Sequence, residues 1–145
     1  MRSVTGNYFE SKVRLEKTTE DGTQAKFNEL YVVNSQSFTE TEAKVTKFIS
    51  QYANGEFEVL TESWAKYKEI IFSDKEDENL WYKVTVDFIT IDERSGKEKH
   101  SKTVYLVQGS SVESARNNVE EVMNGTMIDY RVIGLNETVI QDVIM

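Results

Sequence analysis

The sequence predicts an α+β protein in which one small unit of two strands, a helix and a third strand (ββαβ) is written twice. The expected result is mainly antiparallel sheet with two amphipathic helices, the copies related by a pseudo-twofold. Three observations predict it. Period-two apolar alternation appears at two places 73 positions apart, a glycine-bearing polar turn follows each, and a hydroxyl–carboxylate cap then opens an apolar stripe of helical spacing.

The first strand places Phe9, Ser11, Val13 and Leu15 on one face, and its counterpart places Tyr82, Val84, Val86 and Phe88. Such alternation puts one face on a core and the other in water. The turns Thr18–Gly22 and Asp92–Gly96 each carry a glycine able to take the positive φ that a hairpin asks for. The return strands end in Leu30–Val33 and Val104–Val107. Ser37 with Glu40, and Ser110 with Glu113, fit a capping box, in which hydroxyl and carboxylate each satisfy an orphan N–H. The stripes behind them are Val45, Phe48, Ile49, Tyr52 and Ala115, Val119, Val122, Met123, the pattern of a helix lying on a sheet. Asn54-Gly55 and Asn124-Gly125 are the expected helix ends, with glycine as a left-handed cap. Glu56–Leu60 and Asp129–Ile133 read as third strands, and Tyr67–Ile71 and Ile140–Ile144 as short amphipathic tails.

The repeats are thus placed at 8–72 and 81–145, joined by an acidic, solvated linker at 73–80. A unit of 65 residues with three strands and a helix is marginal by itself, so the copies are expected to share one core. The pattern leaves open whether they form one continuous sheet or two.

Charge and composition narrow the function classes. The net charge of −8 is divided evenly, each repeat and the linker carrying −3 and Arg2 ahead of them adding +1. An acidic surface repels nucleic acid and anionic membranes, so direct nucleic-acid binding is disfavoured. Without cysteine there is no disulfide, thiolate metal site or thiol nucleophile. Neither a signal-peptide run nor a span of roughly 20 apolar residues is found, so a soluble protein that is not exported by a signal peptide is expected.

Few residues invite chemistry. His100 is the sole histidine, and a base needs a positioned partner that the sequence does not name. Asp74, Glu76, Asp77 and Glu78 fail the EF-hand pattern, with Asn79 and Thr85 where glycine and glutamate belong. Arg94, Lys97, Lys99 and Lys102 cluster at the second hairpin, diluted by Glu93 and Glu98. Asn124-Gly-Thr126 and Asn136-Glu-Thr138 match glycosylation sequons, read as accidents without a secretory signal. Phosphate-cradling, zinc-helix and nucleophile-elbow motifs are absent, so no catalytic residue, metal or cofactor is expected. Among the aromatics, Trp81 reads as core because it opens a strand. Trp64 and Tyr67, beside Glu62, Lys66 and Lys68, are candidate interface residues together with the Arg94–Lys102 cluster.

Nearly the whole chain resembles a family of small uncharacterised proteins found in Bacteroides and relatives and in crAss-like gut phages. Tyr8–Arg14, Ser37–Lys44, Gly55–Phe57, Phe88–Lys99, Gly125–Arg131 and Glu137–Val143 carry the resemblance. Members commonly have Trp-Phe-Glu-Cys where this chain has Tyr8-Phe-Glu-Ser11, which speaks against a thiol-based role. The resemblance implies a phage or mobile-element product and supplies no site residues. With the duplicated β-rich unit and the missing catalytic signature, it leads to an expected non-enzymatic structural or assembly protein. The place expected for it is an accessory component of a phage head, in the virion or host cytoplasm, contacting capsid or assembly proteins or its own copies. The alternative is a small acidic intracellular module that binds host or phage nucleic-acid machinery. A carboxylate-only enzyme ranks last.

Overall fold

The computed structural model describes residues 2–53 and 55–145. The chain runs β1 (Arg2–Val4), β2 (Tyr8–Thr18), β3 (Gln24–Asn34), α1 (Phe38–Ser50), β4 (Phe57–Ala65), β5 (Glu69–Phe72), β6 (Leu80–Ile91), β7 (Glu98–Gly109), α2 (Val112–Asn124), β8 (Asp129–Glu137) and β9 (Ile140–Ile144). It is an α+β fold, mostly strand, with two mixed sheets. One has the order β1-β5-β7-β6-β8 and the other β4-β2-β3-β9.

Each sheet grows from a hairpin. β2 and β3 pair along their full length about the turn that holds Gly22 at φ 83°, and β6 and β7 about the turn that holds Gly96 at φ 69°. Both glycines therefore occupy the left-handed region that a side chain disfavours. Val13, Leu15, Tyr31 and Val33 meet Val45 and Ile49 of α1 in one core cluster. Tyr82, Val84, Val86, Tyr105 and Val107 meet Ala115, Val119 and Met123 of α2 in the other. Each buried aliphatic side chain contributes about 1.5–3 kcal/mol of apolar transfer, so these stripes hold helix to sheet.

The short tails are strands, and each joins the sheet that the other half of the sequence begins. β5 runs parallel to β7, and β9 runs parallel to β3. The compact units accordingly depart from the 8–72 and 81–145 division. One comprises Tyr67–Thr138 with the N-terminal segment through Thr5, and the other Gly6–Lys66 with Val139–Met145. Beside its edge strand each tail finds a row of unpaired backbone groups, which a parallel strand satisfies. Tyr31, Val32 and Val33 are consecutive and all buried, as are Tyr105, Leu106 and Val107, so both sheets are covered on both faces there.

Three local expectations are corrected. The second cap is Ser111 rather than Ser110, and its box partner is Ser114 rather than Glu113. The Ser114 hydroxyl accepts from the N–H groups of Ser110 and Ser111 at 2.7 and 3.0 Å. Gly109 makes room for it, since a Cβ there would lie 2.9 Å from the Ser114 Oγ. In α1, Ser37 accepts from the Glu40 N–H as expected, but the Glu40 carboxylate reaches back to Gln36 N–H.

Gly125 closes α2 at φ −70°, not in the left-handed region, and Met127 takes φ 62° instead. The carbonyl of Met123 accepts from the Thr126 N–H at 3.0 Å and from the Thr126 hydroxyl at 2.7 Å. The other proposed end, Asn54, lies outside the described residues, and α1 ends at Ser50 with Gln51 as its cap.

The linker is not wholly solvated. Glu78 is buried, accepting from the Ser73 hydroxyl and, at 3.2 Å, from the Asn118 amide of α2. Burial pushes its carboxyl up, but the hydrogen bonds from Ser73, Asn118 and Ser114 outweigh it and hold the group below its ordinary value. Glu78 thereby fastens the chain entering β6 to the face of α2. Among the described residues, no helix is long and apolar enough to cross a membrane.

Candidate functional site

Edge strand β4 and the first turn of α1 leave an unfilled groove between them. The ladder of β2 and β4 pairs Lys12 with Thr61 and then Val13 with Val59, so Leu60 is an extra residue in a bulge. Beyond the bulge, Glu62 stands opposite Ser11 and Trp64 opposite Phe9. Ser11, Val13 and Leu15 point toward α1, so by period two Glu62 and Trp64 lie on the helix side as well.

Phe38, the first residue of α1, meets Phe9 edge to face with ring centroids 5.2 Å apart. Trp64 is 63% exposed and Phe38 55%. Lys66 lies 5.9 Å from the Trp64 ring centroid. Two depressions meet at Phe38. One, of about 350 Å³, is lined by Asn7, Phe9, Gln36, Phe38 and Trp64. The other, of about 330 Å³, is lined by Phe38, Glu42, Val59, Leu60, Thr61 and Glu62.

The second depression is acidic. Burial first, and then the neighbouring Glu42 carboxylate, push the Glu62 carboxyl above its ordinary value. Among the described residues neither acid is held by an ion pair. Ser11, fully buried opposite Glu62, keeps a hydroxyl with no hydrogen-bond partner. The groove thus combines exposed aromatic surface with uncompensated negative charge, beside a strand whose outer edge has no backbone partner among the described residues.

A second constellation lies on β6 and β7. His100 is opposite Ile89, diagonal to Asp87, and its Nδ1 is 2.7 Å from Asp87 Oδ2. Asp87 is only 3% exposed, and its Oδ1 has no partner. The far ring nitrogen, Nε2, lies 3.4 Å from Glu98. The hydrogen bond to Asp87 and then its charge, with Glu98 adding, raise the His100 pKa above its usual 6.5. A general base must present a neutral nitrogen to substrate. With carboxylates at both nitrogens, this ring is better suited to be a charged strut between strands. Its partner was not legible because a diagonal cross-strand pair depends on hairpin register, which the sequence fixes only loosely.

The other sequence candidates are scattered. Tyr67 is buried, with Lys83 5.8 Å from its ring centroid, and is not a surface anchor. Arg94, Lys97, Lys99 and Lys102 are all exposed around the β6–β7 turn, Lys99 pairing with Asp92 at 3.5 Å. They belong to one compact unit and Trp64 to the other. Trp81 is buried, and its ring meets Phe72 edge on at 5.6 Å. Sequence reasoning missed Phe38, Glu42 and Glu62. Phe38 was passed over as part of a cap, and the two glutamates meet only through folding. Among the described residues, no cluster of three or more potential ligands gathers at metal-binding distance.

A family model described as a domain of unknown function, DUF4494, matches residues 7–145. No curated protein and no solved structure matches the chain.

Proposed function

The chain belongs to the DUF4494 family, and on that footing we propose that it is a non-enzymatic structural or assembly protein working through protein–protein contacts. Its place is as an accessory component of a phage head, so that it resides in the virion or the host cytoplasm. One observation carries the contact role. Trp64 and Phe38, both more than half exposed, lie beside an open strand edge in shallow depressions. Large apolar side chains left in water at such an edge suit a protein surface, since aromatic residues dominate the energetics of such contacts. The phage setting draws on the resemblance described above.

We also read the chain as a tandem duplication. Both β2–β4 and β6–β8 ladders break register at equivalent steps, Lys12/Val13 and Thr85/Val86, and each half donates its last strand to the other sheet in parallel. Matching irregularities favour copying, because bulges are inherited features of a fold, kept at the same position among related copies.

The acidic binding-module reading is favoured by one feature, the uncompensated Glu42 and Glu62 in a protein of net charge −8. The discriminating experiment is quantitative mass spectrometry of washed, nuclease-treated particles of a phage encoding this chain. A fixed, high copy number per particle supports the head role. Absence from washed particles, with salt-sensitive capture of one basic host or phage protein, overturns it in favour of the alternative.

A further inference from the structure

We propose that the groove between α1 and β4 receives an extended segment of a partner protein, added as a strand to β4, that carries a Lys or Arg two residues from a large apolar side chain. The inference rests on the assembly reading only in taking the partner to be a protein.

The backbone argument comes first. β4 ends its sheet, and an open edge presents donors and acceptors that an incoming strand can satisfy. The side-chain argument fixes the partner's chemistry. Glu62 and Trp64 are two positions apart, hence on one face of β4, and both look toward α1. Side chains of an added strand that stand beside them are likewise two apart. The one beside Glu62 enters the depression shared with Glu42, where two carboxylates without counterions select a cation. The one beside Trp64 enters the depression floored by Phe9 and Phe38, which selects apolar bulk.

The fold itself does not call for this groove. At the equivalent register of the other sheet, Val84 stands opposite Leu135 where Ser11 stands opposite Glu62, and Tyr82 opposite Glu137 where Phe9 stands opposite Trp64. Leu135 packs on the core of its unit. At the Glu62 slot the same architecture therefore closes with an aliphatic side chain, and Glu62 and the buried unpartnered hydroxyl of Ser11 are extra to it. Polar groups that cost stability without a structural partner point to use.

The test is selection of a random library of capped peptides, about eight residues long, on the full-length protein and on the double variant Glu42→Lys/Glu62→Lys. Both acids are solvent-accessible, and far-UV CD with thermal midpoints establishes that the variant is folded. Expected are sequences with a basic residue two positions from an aromatic or large aliphatic one, bound at least tenfold more weakly by the double variant. Binding should also shift the emission of Trp64, a signal lost in Trp64→Phe. Enriched sequences lacking a cation, equal binding by the double variant, or no enrichment at all overturns the proposal. Self-association through β4 that the selected peptides fail to displace also overturns it, assigning the edge to a second copy. The two readings fail separately. Presence in particles with no peptide enrichment removes this inference alone, and basic-peptide binding with absence from particles removes the head role alone.

Discussion

The two sheets place unlike residues in like slots, and the differences separate what this architecture needs from what it carries. On the helix face, Ser11 and Glu62 occupy the register that Val84 and Leu135 fill in the other sheet. On the opposite face the charges are inverted. Arg14 stands between Asn28 and Glu58, whereas Asp87 stands between Lys102 and Arg131. Arg14 is exposed and donates to Asn28 at 3.4 Å, while Asp87 is buried and grips His100. Each sheet therefore has one polar singularity, and each lies where the other sheet is conventional. The strand framework tolerates both, because its stability comes from the central stripes that face the helices.

The sharpest way to break the comparison is to exchange the singularities. Val84→Ser together with Leu135→Glu puts the groove's polar pair into the closed sheet. The exchange removes buried apolar area and adds a hydroxyl and a carboxylate with no partner. A loss of about 3–5 kcal/mol is expected in urea unfolding. If the loss is under about 1 kcal/mol, the two registers are not distinguished by packing.

The reverse change should act the other way. Ser11 is fully buried with an unpartnered hydroxyl, so Ser11→Cys removes a desolvation cost while keeping volume. A gain of about 1 kcal/mol is expected in the same measurement. A loss of similar size would mean that the hydroxyl is bonded in solution.

Two pH experiments sharpen the contrast further. The Glu62 pKa is raised above its usual 4.5, so the native chain holds that proton more tightly than the unfolded one. Stability should fall as pH rises from about 4.5 through the raised value, and the slope difference between wild type and Glu62→Gln isolates it. Identical slopes would remove the acidic character of the groove. In the other sheet the sign is opposite in charge but not in direction. His100 is raised above 6.5, so its pairing stabilises fully below 6.5 and is lost as pH rises through the folded value. Proton NMR of the single histidine should titrate above 6.5 in wild type and fall back in Asp87→Asn.

The smallest effect belongs to Trp64. Trp64→Phe should change stability by no more than about 0.5 kcal/mol, since the side chain is exposed. It should remove most of the iodide-quenchable fluorescence, because the remaining Trp81 is 3% exposed. Substantial residual quenching would place Trp81 nearer to solvent than the packing against Phe72 allows.

How much of this was legible can be argued residue by residue. The alternation Phe9–Leu15 and Tyr82–Phe88, the turn glycines Gly22 and Gly96, and the stripes Val45–Ile49 and Ala115–Met123 are local patterns with local physical causes. They reappear as hairpins and helices. The groove was half legible: Trp64 was singled out, but Glu42 and Glu62 are distant in sequence and become neighbours only when α1 lies on β4. Tyr67 was misplaced because an aromatic residue beside lysines reads as surface, whereas the following strand carries it into a sheet.

By itself, the amino-acid sequence determined the two hairpins, the two helices and the strands that follow them, their order and their inward faces, since steric preference and apolar period act over a few residues. Which sheet receives β5 and β9, the burial of Glu78, the grip of Asp87 on His100 and the acids meeting beside Phe38 were decided by tertiary structure alone. These depend on which edges and faces come together, and no period in a short window encodes a partner tens of residues away.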